Sequence, residues 1–178
     1  MTLPTSLTEF RQSSISRKSR RYYFDVGIGS ICLSDGDTGG TYCLLKAGLA
    51  PERSVPRHMR TREDEAYFVL SVELEVTVGD EVFITRPGDS LMAPPDIPHQ
   101  LRNFGSVDNR YLLVFSPPGF KEFLRLTAVP APDNAAAPTK PPAISVQNVH
   151  ELATDFGILF GSDRPGKRGQ ESQRHGTK

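Results

Sequence analysis

Gly88-Asp89-Ser90-Leu91-Met92-Ala93-Pro94-Pro95-Asp96-Ile97-Pro98-His99-Gln100-Leu101-Arg102-Asn103 is the stretch on which the fold turns. Ser90–Ala93 and His99–Asn103 read as short strands, and the Pro/Asp cluster between them punctuates the chain as a turn. The same grammar continues outward on both sides. From Tyr22 to Ser116, β-rich runs are separated by Gly, Pro and Asp clusters without helical periodicity. Candidate strands are Tyr22–Leu33, Thr41–Lys46, Val55–Arg60, Glu65–Ser71, Glu73–Val78, Glu81–Thr85, Ser90–Ala93, His99–Asn103 and Arg110–Ser116. Glu73 to Val78 alternates strictly, so one face is wet and the other is core, and Gly79-Asp80 turns it into the next strand. The pattern predicts an all-β sandwich or barrel.

The barrel is expected over residues 22–127, preceded by a mobile arm over 1–21. Pro117-Pro118-Gly119 stops the last strand, and Phe120 to Leu126 has apolar residues at helical spacing, which predicts a short helix. Residues 128–143, rich in Ala and Pro, read as a semi-rigid linker without packing of its own. In the segment 144–161, Ser145 is placed to cap a helix over Val146–Phe156, with Val149, Leu152, Ala153 and Phe156 on one stripe and Gly157 closing it. Such a helix must dock on its own barrel or on a neighbouring subunit. Residues 162–178 are expected to form a disordered basic tail.

The 178 residues suffice for one domain of about 110–130 residues with arms. With 21 basic and 21 acidic residues, no global field argues for nucleic acid or a membrane, and small-molecule chemistry is favoured. Cys32 and Cys43 are too few for a disulfide framework and read as buried thiols. No apolar stretch is long enough to span a membrane and no apolar leader opens the chain, so a cytoplasmic protein is expected. The Arg- and Ser-rich first 24 residues share their composition with organellar transit peptides and with ordinary mobile arms.

The chemistry concentrates in His58-Met59-Arg60, in Glu65 and in His99. Residues i and i+2 of a strand share a face, so His58 and Arg60 project together. A guanidinium stays protonated and has no lone pair to give, so Arg60 cannot ligate a metal. His58, Glu65 and His99 remain as a ligand set. Two arrangements are open. The three can bind a divalent ion, against the repulsion of a fixed positive charge nearby. Alternatively, Arg60 forms a bidentate pair with Glu65 and the imidazoles stay neutral.

These residues resemble the cupin family over about residues 38–126. In its second motif, a Gly is followed by Pro-x-Gly, His and Asn, and Gly88, Pro94, His99 and Asn103 fall in register with only the inner Gly replaced, by Asp96. In its first motif, Glu52 and Val72 stand at the two glycines and Arg60 at the second His of His-x-His. A turn that needs positive φ tolerates Glu or Val only with strain or with an altered turn type. The text around the motifs is similar to small single-domain cupins of the quercetin-dioxygenase-like kind. It includes Asp37-Thr38-Gly39-Gly40, the run Glu63 to Leu70 and Ser116-Pro117-Pro118-Gly119-Phe120. The resemblance implies a single cupin barrel or jelly roll with a short helix after it and a C-terminal helix. It further implies a metal pocket of His58, Glu65 and His99, holding Fe, Mn, Ni, Co or Zn, and a homodimer.

Two enzymatic readings follow from the resemblance. In the first, the metal orients an aromatic or enol substrate toward dioxygen, and Glu65 doubles as a base. In the second, the pocket is a metal-free isomerase, cyclase or lyase in which Arg60 clamps an anionic group. A third reading is a non-catalytic ligand-binding cupin. A DNA-binding regulator would need a helix-turn-helix, which the residues before the barrel are too few to supply. Arg57, Arg62 and Arg102 read as surface charge, Gln100 as pointing away from the cavity, and Asn103 as serving a turn. His150 and His175 are isolated and receive no role.

Overall fold

The computed structural model describes residues 21–24, 27–140 and 146–161, so the expected arm up to residue 20 and the tail from 162 lie outside the described residues. Two antiparallel sheets face each other as a jelly roll. The first contains β1 (Arg21–Phe24), β2 (Gly27–Leu33), β3 (Cys43–Leu49), β6 (Asp64–Ser71), β9 (Ser90–Ala93), β11 (Arg110–Ser116) and β12 (Val129–Ala131), in the order β12-β1-β2-β3-β11-β6-β9. The second contains β5 (His58–Arg60), β7 (Leu74–Val78), β8 (Glu81–Thr85), β10 (His99–Asn103) and β13 (Ile158–Phe160), in the order β13-β5-β10-β7-β8, with β4 (Arg53–Ser54) also on β10. Three helices are described: α1 (Asp35–Thr38), α2 (Phe120–Thr127) and α3 (Val146–Asp155).

Alternation builds the core. On β6, Glu65, Tyr67 and Val69 turn inward while Phe68 and Leu70 face outward. They meet Leu45, Leu113 and Phe115 from their own sheet and Leu74, Val76 and Leu101 from the other. The strand expected over Tyr22–Leu33 is instead a hairpin, with Tyr23 opposite Ile28. A Cβ at Gly29 would lie 2.7 Å from the Phe24 ring, so the bare backbone of β2 makes room for that aromatic. The segment expected to be an unpacked linker adds β12 to β1 and buries Ala137 against Ile28 and Ala50. The C-terminal helix ends at Gly157 (φ 74) as the sequence predicts, and Ala153 is fully buried on this chain's own barrel.

Glu52 (φ 57), Val72 (φ 64) and Asp96 (φ 62) are left-handed. These are the positions where the motifs carry glycine. The backbone conformation has been kept and the side chains accommodated with strain rather than through a different turn.

Candidate metal centre and its cavity

β5 and β10 are paired with His58 directly opposite His99, and β6 of the other sheet brings Glu65 across to both. Each imidazole is oriented by a backbone carbonyl two residues earlier: His58 Nδ1 lies 2.9 Å from Pro56 O and His99 Nδ1 lies 3.0 Å from Ile97 O. A carbonyl only accepts, so both rings carry their proton on Nδ1 and, when neutral, turn a bare Nε2 inward. His99 Nε2 is 3.2 Å and His58 Nε2 is 4.0 Å from the same Glu65 Oε2. Three lone-pair donors thus converge on one point, an arrangement that could hold a metal ion. The three ligand atoms lie within 4.8 Å of one another. Ligand bonds of about 2.1 Å separate neighbouring donors by roughly 3.0–3.5 Å, so the set fits a divalent ion after a small contraction.

Arg60 does not form the bidentate pair with Glu65 that its sequence position suggests. It is shared. Nε donates to Glu65 Oε2 at 2.5 Å and Nη1 to Glu63 Oε2 at 2.7 Å, while the guanidinium lies 4.4 Å from the Phe115 ring centre and 4.1 Å from that of Phe120. Burial raises the Glu65 carboxyl, but the charge of Arg60 and the closeness of the two imidazoles outweigh it and hold Glu65 well below the usual carboxylate range. For Glu63 burial wins over the opposing Arg60, and its carboxyl is pushed up. Burial lowers the His58 imidazole to about 3, the neighbouring His99 adds to this, and Glu65 opposes it.

Beside His58, Arg60 and Glu65 opens a cavity of about 180 Å³ whose other walls are mostly apolar and include Phe24, Phe115, Phe120, Phe123 and Phe160. Val149 and His150 of α3 and Ile158 and Phe160 of β13 close one side of it. His150 stacks on Phe160 at 4.2 Å, and Phe160 is 6.0 Å from the His58 ring.

The structure brings together the three residues that the sequence offers as a ligand set, and it adds two residues that the sequence did not bring to the pocket. His150 looked isolated because nothing before the fold connects α3 to the pocket. Glu63 enters the sequence reading only as the first residue of the run Glu63 to Leu70, yet its parity with Glu65, Tyr67 and Val69 is a signal for the same inward face. Arg62 and Arg102 are exposed as expected, and Gln100 turns to Val55 O, but Arg57, expected as surface charge, is part-buried and donates to Gly79 O. Asn103 ties the loop after β10 through Leu49 O, Val107 O and Gly105 N.

Residues 46–115 match the family model described as the cupin domain. The chain contains a cupin domain. Among its relatives, Polyketide synthase CurC of Streptomyces cyaneus is 30% identical over 110 residues, 62% of this chain and 64% of that protein. Uncharacterized protein MJ1618 of Methanocaldococcus jannaschii is 31% identical over 61 residues, 34% of this chain and 49% of that protein. The matches thus span about half to just under two thirds of these relatives' lengths. Among solved structures, a predicted oxalate decarboxylase from Thermotoga maritima superposes with a TM-score of 0.53 at 18% identity, over 56% of this chain and 94% of that one. That likeness is one of fold. Among the described residues, no helix is long and apolar enough to cross a membrane.

Proposed function

We propose that this cupin is a metal-dependent small-molecule enzyme that oxidises a flat, largely apolar substrate bearing an enol or phenol oxygen with dioxygen. The observation that carries the reading is the pair of Nδ1–H donors to Pro56 O and Ile97 O, which leaves two bare Nε2 atoms aimed at Glu65. In this reading His58, Glu65 and His99 hold Fe, Mn, Ni, Co or Zn, and a bound ion supplies Lewis-acid polarisation of the substrate oxygen. The phenylalanines lining the cavity stack on a planar substrate and exclude water. Glu65, held ionised by Arg60, serves as a ligand rather than as a base. Arg60, with both ends engaged by carboxylates, is not free to clamp a substrate anion, which weighs against the metal-free reading.

A second reading, non-oxidative cyclisation of an enolisable polycarbonyl compound at the same centre, draws on the 30% identity to a protein named as a polyketide synthase. Elemental analysis of protein purified without chelators should find close to one transition ion per chain, with His58→Ala and His99→Ala losing it. Protein that neither retains nor binds such ions sinks both readings. Oxygen uptake with flavonols or catechols supports the first. Turnover of β-polycarbonyl compounds without oxygen uptake replaces it with the second.

A further inference from the structure

The two ends of the Arg60 fork are held by different carboxylates, Glu65 on Nε and Glu63 on Nη1. All three side chains are buried, at 3% exposure for Arg60, 3% for Glu63 and 4% for Glu65, so water screens their charges little. Two carboxylates against one guanidinium leave a net negative charge beside the two bare imidazole nitrogens. Space for Glu63 is built in: a Cβ at Gly119, just before α2, would lie 2.8 Å from Glu63 Oε1. That Oε1 has no side-chain partner among the described residues, so Arg60, with the Phe120 amide at the start of α2, is what favours a carboxylate inside.

We propose that Glu63 is a positioning residue that allows an arginine to stand in a cation site. By holding Nη1, it keeps Arg60 from turning both arms of its fork onto Glu65, and it offsets the guanidinium charge. Glu65 thereby keeps a lone pair and a net charge for a divalent ion. Without Glu63, the bidentate Arg60–Glu65 pair, one of the two arrangements the sequence leaves open, becomes the stable one, and it competes with the ion for the anionic ligand of the set. This inference rests on the metal reading above.

The test is a double-mutant cycle in full-length protein, reading Co²⁺ and Zn²⁺ dissociation constants by competition with a chromophoric chelator. Glu63→Gln in the wild-type background should weaken binding about tenfold or more, as expected for an unopposed buried guanidinium. In an Arg60→Gln background the same change should cost only about threefold, the loss of one nearby charge. A merely structural or merely electrostatic Glu63 gives equal losses in both backgrounds, and that result overturns the proposal. Should Glu63→Gln fail to fold, Glu63→Asp keeps the charge and shortens its reach; it should weaken binding with Arg60 present and leave it unchanged in Arg60→Gln. Binding by Arg60→Gln but not by wild type would overturn this inference while sparing the ligand set. Binding by neither sinks the metal reading itself.

Discussion

Val72 sits at φ 64, where its branched Cβ crowds the neighbouring carbonyl. Left-handed non-glycine residues store about 1–3 kcal/mol, and glycine recovers part of that after its own entropy cost of roughly 0.5–1 kcal/mol in the unfolded chain. Val72→Gly should therefore raise unfolding stability by about 1 kcal/mol, read as an upward shift of the urea midpoint at unchanged slope. Asp96→Gly, at φ 62, should gain little, because aspartate tolerates this region. A lower midpoint for Val72→Gly would show that its side-chain packing outweighs the strain. At this scale the sequence was readable wherever chemistry restricts the residue type. Two imidazoles and a carboxylate at fixed spacing announce themselves, and a lost glycine is visible as a loss. Glu63 was not readable as part of the site, because an acid between Arg62 and Asp64 has the local character of surface charge. Only the partner across the pocket makes it a buried one.

The C-terminal element, α3 followed by β13, is anchored to the strand that carries His58. Ile158 pairs with Arg60 and Phe160 with His58, while Thr61 N donates to Gly157 O at 2.8 Å and Arg62 to Asp155 O at 2.8 Å. Gly157 is the joint. Its φ of 74 is left-handed, and a Cβ there would meet Thr61 Oγ1 at 2.6 Å. Gly157→Ala should cost about 1–3 kcal/mol and loosen the segment before the barrel. Hydrogen exchange of the Ile158 and Phe160 amides should accelerate more than that of β7 or β11. Uniform acceleration across the sheets would mean that the segment does not open on its own. The helix was readable from its apolar stripe and closing glycine. β13 and β12 were not, since three residues carry no alternation and their pairing partners lie far away in the chain. The hairpin of β1 and β2 was hidden for a related reason: Tyr22 to Leu33 is β-prone throughout, and the break is set by Phe24 folding over glycines.

For the whole molecule, all-β class and strand succession followed from punctuation by Gly, Pro and Asp, whereas the division of strands between two sheets is a property of non-local pairing that no window of sequence contains. That division buries His58, Glu65 and His99 between the sheets, and it ties global stability to the protonation of His58 and Glu65. In metal-free protein His58 titrates at about 3 instead of its ordinary 6.5. The unfolded chain therefore takes up a proton below pH 6.5 that the folded one refuses until about pH 3, so this stability is complete above 6.5 and is lost as pH falls toward 3. Glu65, lowered from 4.5, acts in the same direction below pH 4.5. Glu63, raised from 4.5, opposes it, because its folded form binds the proton more tightly. One proton per molecule gives a slope of about 1.4 kcal/mol per pH unit, so His58 alone should remove roughly 3–5 kcal/mol across the window. Urea unfolding of EDTA-treated protein from pH 7.5 to 4.5 covers the upper two pH units of that window and should show a loss of about 2–3 kcal/mol. His58→Gln, which cannot titrate, should flatten it between pH 6.5 and 4.5, and an unchanged slope in the variant would place the acid sensitivity elsewhere in the molecule.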